Sequence, residues 1–422
     1  MLKKILLVIG IIAVGILMAG CTNDTDQTTS EEEVIKIGSL LDLSGPLSTY
    51  GIDIKNNLQL CEKDINNYFE KNNMPYRVDI LVEDTKLDPN LALQKLQFLK
   101  SKNVNAVIGP MASGEVKNVL SYTKSNKIIA ISPSSTAAPP LIGVVDPEQK
   151  KYLYRFVASD DLQGKAIAKE VADLGITDVV ILYRGDSWGK GLSEEVIKNL
   201  PGNGVNIIKI IEYPSNPSPS DWSPYISNLE NYVNNATSSK GKDKVGVIYL
   251  GFEEGATLFS QIPDDSVLLD VKWIGSDGVA KSDKLLELKD KIAKVGMYST
   301  IFESVGPEDY TKRYKDAFGG TPTSYGLISY DTLWVLSMAY VETLESNNGK
   351  YDADIMTEKI KEVIPKYNNG DYGVKPLTGE IVLNKFNDRA SGDYAIYKIT
   401  EDDWVKVGVW KYSTKKVEWL NE

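Results

Sequence analysis

A repeated alternation of short apolar runs with helix-period segments is the feature that most constrains the fold of this chain. Runs such as "DVVILYR" (178–184) and "KVGVIYLG" (244–251) are apolar almost throughout, which is typical of parallel strands that are covered on both faces. Between the runs, segments such as "PNLALQKLQFLKSK" (89–102) and "GKAIAKEVADLG" (164–175) have the period of amphipathic helices. This order predicts an α/β fold with doubly wound parallel sheets.

The length of the chain predicts two lobes, because 422 residues are too many for one ordinary hydrophobic core. Residues 307–364 are expected to be mostly helical, whereas 379–410 change to the pattern of antiparallel strands. The strands predicted before that point span 34–43, 76–84, 104–109, 127–132, 178–184, 206–213, 244–251, 269–275 and 294–300.

The N-terminus, "MLKKILLVIGIIAVGILMAGC", has a charged start, an apolar run and an ending of small residues. Residues 1–20 are therefore predicted to be a secretory signal peptide. The ending also matches a lipobox, in which Cys21 becomes the lipidated first residue; the alternative is an anchor helix that is not cleaved. The polar and acidic segment 21–33 is predicted to be a flexible tether, which places the body of the protein outside the cytoplasm and attaches it to the membrane.

Composition excludes several classes of function. The sequence contains no histidine, which removes the usual general base and the commonest metal ligand. A net charge of −11 without a basic patch argues against nucleic-acid binding. No cofactor or metal site is expected, since "EEE" (31–33) and "EDD" (401–403) are more typical of solvated charge runs. Besides Cys21, the only cysteine is Cys61, so we expect a buried thiol and no intrachain disulfide.

One motif suggests an enzyme. The segment "GDSWG" (185–189) fits G-x-S-x-G, the nucleophile elbow, with a predicted strand before it and a helix after it, which would make Ser187 the nucleophile of an exported hydrolase. Such a serine normally needs a histidine base, and the chain has none. A strand-to-helix turn that requires its glycines is the simpler interpretation. We therefore expect no enzymatic activity.

The turns at the ends of the predicted strands share a composition. "DLSGPLSTYG", "GPMASGE", "SPSSTAAP", "GDSWGKG" and "GSDGVA" are rich in glycine and small hydroxyl residues and lead into helices. Helix N-termini and hydroxyl groups can bind a carboxylate. Asp277 adds a negative charge, and Tyr50 and Trp188 add aromatic cover, so the turns suit a zwitterion such as an α-amino acid. Ser132 and Ser134 are expected to satisfy local backbone groups beside Pro133.

In their order and spacing these motifs resemble the solute-binding lipoproteins of branched-chain amino acid ABC transporters, which belong to the type I periplasmic binding protein family. The resemblance covers nearly all of 34–410 and includes "IKIGSLLDLSGPLSTYG", "AVIGPMASGEV", "IAISPSSTAAP", "ILYRGDSWGKG" and "WIGSDG". It implies two lobes joined by three crossings of the chain, with the ligand in the cleft and hinge closure around it. The implied lobe 1 is 34–157 plus 300–378, and the implied lobe 2 is 158–299 plus 379–422.

The resemblance also implies roles for individual residues. Ser113 matches a serine that binds the ligand carboxylate, and Ser135 and Thr136 match a loop that binds both the carboxylate and the ammonium group. Asp277 matches the acid that pairs with the ammonium group, and Trp188 stands where a tyrosine closes over the ligand from lobe 2.

Further pocket residues are implied less directly. Tyr50 is expected at the pocket edge and Tyr325 in the pocket wall, while either Phe252 or Glu253 faces the cleft.

The implied function is that of a monomeric, non-enzymatic binder of a small molecule that delivers its ligand to the permease subunits of an ABC importer. An apolar or aromatic α-amino acid is the expected ligand. Asp277 replaces the longer Glu of leucine-type binders, and Trp188 is bulkier than Tyr, so the ligand itself stays open. Amides, urea or aromatic acids on the same scaffold are alternatives, as is a ligand-sensing module.

Overall fold

The computed structural model describes residues 32–304 and 306–420. The predicted signal peptide, Cys21 and most of the predicted tether lie outside the described residues. The strands are β1 (Glu33–Leu41), β2 (Tyr76–Asp84), β3 (Ala106–Ile108), β4 (Ile129–Ser132), β5 (Leu153–Ala158), β6 (Asp178–Arg184), β7 (Asn206–Tyr213), β8 (Val245–Leu250), β9 (Lys272–Gly275), β10 (Tyr298–Phe302), β11 (Asp388–Arg389), β12 (Tyr394–Ile399), β13 (Trp404–Lys411) and β14 (Lys416–Trp419).

The helices lie between the strands, as the periodicity predicts. They are α1 (Ser48–Lys71), α2 (Pro89–Ser101), α3 (Ser113–Ser125), α4 (Asp160–Asp173), α5 (Ser187–Asn199), α6 (Ser223–Lys240), α7 (Gly255–Gln261), α8 (Asp283–Leu286), α9 (Lys289–Val295), α10 (Glu308–Phe318), α11 (Ser324–Ser346) and α12 (Ala353–Asn369).

The strands form two sheets. The first has the order β11-β5-β4-β3-β1-β2, and its neighbouring strands are parallel. The second has the order β14-β13-β12-β10-β9-β8-β6-β7; it is parallel from β10 to β7 and antiparallel from β10 to β14. Helices α1–α3 and α10–α12 pack with the first sheet to form lobe 1, and α4–α9 pack with the second to form lobe 2. The predicted doubly wound α/β class is confirmed.

The sheets place two of the three crossings later than the sequence predicts. Lobe 1 was expected to resume at residue 300, but β10 stays in the second sheet as far as Phe302, because it pairs antiparallel with β12. Segment 379–387, expected to begin lobe 2 as a strand, forms no regular strand: Gly379 and Asn387 have φ angles of 75° and 57°, which interrupt extended backbone. The chain then adds β11 beside β5 in the first sheet before it crosses.

Helix α11 lies at the centre of lobe 1, between α1 and α12. It is buried on nearly all sides, which explains why its sequence is apolar with little amphipathic pattern. Across residues 32–304 and 306–420, none of the helices combines the length and apolar character that crossing a membrane requires. Cys61 of α1 is fully buried and its thiol donates to the Tyr330 carbonyl oxygen of α11, as expected of a structural cysteine.

Candidate functional site

The loop after β4 folds against the segment that enters α3. The Ser132 hydroxyl donates to the Pro110 carbonyl oxygen at 2.6 Å and accepts from the Ser135 amide at 3.1 Å. The Ser134 hydroxyl donates to the Met111 carbonyl oxygen at 3.0 Å. Ser132 and Ser134 therefore hold the two loops of lobe 1 together, which is the turn-forming role expected of them.

Ser113 is the first residue of α3 and faces the same loop. Its Oγ lies 3.0 Å from Ser135 Oγ and accepts from the Ala137 amide at 3.1 Å. The Thr136 hydroxyl is buried and has no partner of good hydrogen-bond geometry. Ala112, at the N-cap of α3, has no side-chain group that could cap the first N–H groups of this helix. These N–H and O–H groups form a surface that can bind a carboxylate.

Lobe 2 contributes an aromatic pair. The rings of Trp188 and Phe252 stack with centroids 4.4 Å apart, and the Arg184 guanidinium lies 4.7 Å from the Phe252 centroid on the pair. Asp186 caps α5 by accepting from the Trp188 and Gly189 amides at 3.1 and 2.9 Å, so the "GDSWG" turn is built to start this helix.

The geometry at Ser187 does not assemble a hydrolase. Ser187 forms no hydrogen bond to a basic side chain within the described part of the chain. The lysine three residues later, Lys190, is half exposed and its ammonium lies 3.5 Å from the Glu212 carboxylate. An elbow serine without a hydrogen-bonded base has no activated hydroxyl.

Asp277 follows β9 in lobe 2 and is 4 % exposed. One carboxylate oxygen accepts from the Tyr325 hydroxyl, and the other has no partner. Burial raises the pKa of Asp277 to about 6, although the Tyr325 hydroxyl and the Gln163 amide, which is nearby but does not meet the carboxylate with hydrogen-bond geometry, oppose the increase. A buried carboxylate oxygen without a hydrogen-bond partner destabilises the fold, so a ligand that supplies a cation or a hydrogen-bond donor here would stabilise Asp277.

Asp160, the first residue of α4, is a second buried acid that the sequence analysis missed. It is fully buried, and neither carboxylate oxygen has a partner of good geometry. Burial and then the charge of Asp277 raise its pKa well above the usual range, while the Thr136 hydroxyl is near enough to oppose them. The signal was present: "VASDD" ends a strand with a hydroxyl residue and starts a helix, like the other turns.

Several side chains join the lobes across the cleft. The Tyr50 hydroxyl of lobe 1 donates to the Ala280 carbonyl oxygen of lobe 2 at 2.7 Å, and Tyr325 donates to Asp277. The Glu253 carboxylate of lobe 2 accepts from the Thr49 hydroxyl of lobe 1 at 2.5 Å. These contacts hold the lobes in a closed arrangement.

The cleft between them is almost filled, with a cavity of about 20 Å³. An apolar cavity of about 150 Å³ holds benzene, so an amino-acid side chain enters only when the lobes or the aromatic rings move apart. Ser135, Thr136 and Asp160 do not line this closed cavity, and neither does Glu253, which forms an interlobe contact with Thr49. The predicted site residues that line the cavity are Tyr50, Ser113, Trp188, Phe252, Asp277 and Tyr325. Phe252, not Glu253, therefore faces the cleft.

In the described residues there is no cluster of three or more acidic or cysteine side chains able to hold a metal ion. Lobe 1 instead offers N–H and O–H groups that can donate to a ligand carboxylate. Lobe 2 offers two carboxylates and an aromatic pair, and the cleft between the lobes excludes water. Residues 57–402 match the receptor family ligand binding region. The chain belongs to this family. Its members bind ligands, and the protein is not an enzyme.

Two relatives and two solved structures illustrate the family. An uncharacterized protein of Methanocaldococcus jannaschii is 48 % identical, covering 96 % of this chain and 97 % of its own. A Leu/Ile/Val-binding protein of Rhizobium johnstonii is 24 % identical, and the match covers 86 % of this chain and 91 % of that protein. A leucine-binding protein from Thermotoga maritima has a TM-score of 0.70 at 19 % identity, over 89 % and 98 %. A solute-binding protein from R. palustris in complex with benzoate has a TM-score of 0.69 at 14 % identity, over 89 % and 96 %. The type I periplasmic binding protein fold is thus confirmed.

Proposed function

We propose that the protein is the extracytoplasmic solute-binding protein of an ABC importer and that its ligand is a small α-amino acid. One observation carries the choice of ligand: Asp277 lines the closed cleft with an unpartnered carboxylate oxygen, and the buried Asp160, close enough for its pKa to be raised by the charge of Asp277, adds two more unpartnered oxygens. A ligand ammonium group offers three donors and a positive charge, which is what this pair lacks. The names of the solute-binding relatives support the transport role.

The lobe 1 half complements the other end of such a ligand. A carboxylate would accept from the first N–H groups of α3 and from the hydroxyls of Ser113 and Thr136. The side chain of the amino-acid ligand would pack against Trp188 and Phe252, whose stacked rings favour an apolar or aromatic group. Since these rings nearly fill the cleft, the side chain is expected to be small unless Trp188 moves.

Calorimetry with the twenty amino acids tests this proposal. We expect micromolar or tighter binding of at least one small apolar amino acid, and no binding of its analogue without the ammonium group. Asp160→Asn, which keeps the shape of the side chain, is expected to weaken binding at least tenfold, a loss of about 1.4 kcal/mol. Tight binding of the desamino analogue would contradict the proposal.

A small aromatic acid is the second candidate, because the cleft has aromatic walls and a solved neighbour is in complex with benzoate. An anion without an ammonium group leaves Asp160 and Asp277 unpaired, so the amino acid is favoured. The same calorimetry with benzoate separates the two.

Attachment and delivery are also proposals. Cys21 would be lipidated, the mature protein would be a monomer tethered to the outer face of the membrane, and the closed form would dock on permease subunits. Cys21→Ser is expected to release the protein from the membrane fraction, and mass spectrometry of residue 21 in the mature chain tests the lipid directly.

A further inference from the structure

A second cavity, of about 550 Å³, lies in lobe 1 between α1, α10, α11 and the loop 372–377. It shares none of its lining residues with the cleft. Its volume falls within the range of roughly 300–1,000 Å³ that is usual for small-molecule sites.

Aromatic rings form its walls. Tyr68 and Trp334 meet edge to face with centroids 5.5 Å apart, as do Tyr310 and Tyr330 at 5.0 Å and Tyr68 and Tyr372 at 6.4 Å. The deeper three, Tyr310, Tyr330 and Trp334, are almost fully buried. Rings arranged in this way leave faces and edges to which a further planar ring can pack.

The inner acceptors of the cavity are already in use. The Asp64 carboxylate accepts from the Arg313 guanidinium at 2.5 Å and from the Tyr330 hydroxyl at 2.7 Å. The hydroxyls of Tyr310 and Tyr372 donate to side chains of the protein at 2.7 and 3.0 Å. The remaining acid of the lining, Asp309, is exposed at the start of α10. Asp309 is therefore the one acid of the lining that a cationic ligand could pair with.

The donors, in contrast, are free. The indole N–H of Trp334 is buried without an acceptor, since the nearby Tyr330 hydroxyl does not meet it with hydrogen-bond geometry. A buried unsatisfied donor of this kind is uncommon in folded proteins. At the rim, Lys71 and Lys375 are exposed, and neither forms an ion pair within residues 32–304 and 306–420.

We propose that this cavity is a second ligand site, independent of the cleft, and that it takes a small aromatic carboxylate. The aromatic ring packs between the tyrosines, and the anionic group accepts from the donors that have no partner. The inference goes beyond the proposed transport function and does not depend on which molecule the cleft binds.

Fluorine NMR with 5-fluoroindole-3-acetate tests the site in the purified protein. We expect the probe to bind, and its neutral amide analogue to bind more weakly. The double variant Lys71→Ala and Lys375→Ala should weaken binding of the acid about fivefold, the effect of two exposed ion pairs. The matched control, Lys63→Ala with Lys350→Ala, removes two exposed lysines that do not line the cavity and should leave the affinity unchanged.

Two further variants locate the probe. Trp334→Phe keeps an aromatic ring but removes the N–H donor, and it should weaken binding of the acid severalfold. The melting temperature of this variant checks that it still folds. Ser113→Ala, in the cleft, should have no effect. The proposal is overturned if the acid does not bind, if the amide binds equally well, if the double lysine variant binds like wild type, or if Ser113→Ala weakens binding.

Discussion

The two halves of the cleft treat their polar groups differently. In lobe 1, Ser113 and the hydroxyls of residues 132, 134 and 135 take part in hydrogen bonds within the lobe, so this half keeps its shape without a ligand. In lobe 2, Asp160 and Asp277 retain three unpartnered oxygens even though the cleft is closed. Lobe 1 is therefore a preorganised template, whereas lobe 2 needs a cation before closure becomes favourable.

This contrast places the largest effect on the lobe 2 acids. Asp277→Ala removes a partner of the buried ammonium group and should cost about 2–5 kcal/mol of binding free energy for the amino acid identified by calorimetry. Asp161→Ala is the matched control, because Asp161 is half exposed beside Asp160 and pairs with Lys165 at the surface. A wild-type dissociation constant for Asp277→Ala would remove this acid from the site.

The interlobe contact at Glu253 should have the next largest effect. Its buried carboxylate accepts from Thr49 of lobe 1 and, at 2.6 Å, from Ser282 of lobe 2, and hydrogen bonds to a charged group contribute about 1.5–3 kcal/mol each. Glu253→Ala should weaken ligand binding because it destabilises the closed state, although Glu253 does not contact the ligand. Small-angle scattering should then show a larger radius of gyration at saturating ligand than in wild type.

Lys284→Ala is the control for that variant. The Lys284 ammonium lies 3.3 Å from the Glu253 carboxylate and donates to the Gly45 carbonyl oxygen of lobe 1 at 3.0 Å, but its side chain is 41 % exposed, so these contacts should contribute no more than about 1 kcal/mol. Equal effects of the two substitutions would mean that surface charge, not the buried contact, holds the lobes closed.

The raised pKa of Asp277, about 6, predicts opposite pH dependences for stability and binding. Between about pH 4 and pH 6, Asp277 is protonated in the folded protein but ionised in the unfolded chain. The contribution of Asp277 to the free energy of unfolding therefore decreases as the pH rises through that window. An ammonium ligand needs the ionised carboxylate, so its affinity should be about tenfold lower at pH 5 than at pH 7.

The measurement compares wild type with Asp277→Asn. The difference between their ligand-free melting temperatures should shift in favour of wild type on acidification from pH 7 to 5, and the pH dependence of the dissociation constant should be reduced in the variant. Parallel profiles for both proteins would show that other groups set the pH dependence.

The sequence predicted most of the fold because its strands are long apolar runs, as in β6 and β8, whose ends match the predictions within a residue. It missed β5, which contains a buried arginine, Arg155, that pairs with Asp388 of β11. An ion pair between residues 233 apart leaves no local pattern. The short exposed strand β14 likewise lacks an apolar run.

The candidate site was predictable in its residue types but not in its partnerships. The turns at the strand ends indicated Ser113, Trp188 and Asp277, which line one cavity. Asp160 was missed because an acid at a helix start is ordinarily a capping residue, and only tertiary packing shows that its carboxylate is buried. For the same reason the sequence could not separate Phe252, in the cleft, from Glu253, between the lobes.

The smallest expected effect lies in the preorganised half. The Ser113 hydroxyl already has partners at Ser135 and Ala137, so Ser113→Ala should cost about 0.5–1.5 kcal/mol, divided between binding and the stability of lobe 1. Thr136→Val, which removes an unpartnered hydroxyl, should lower affinity with little change in melting temperature. If either substitution weakened binding more than Asp277→Ala does, lobe 1 would contribute most of the binding free energy, and closure of the two lobes would not depend on a ligand cation.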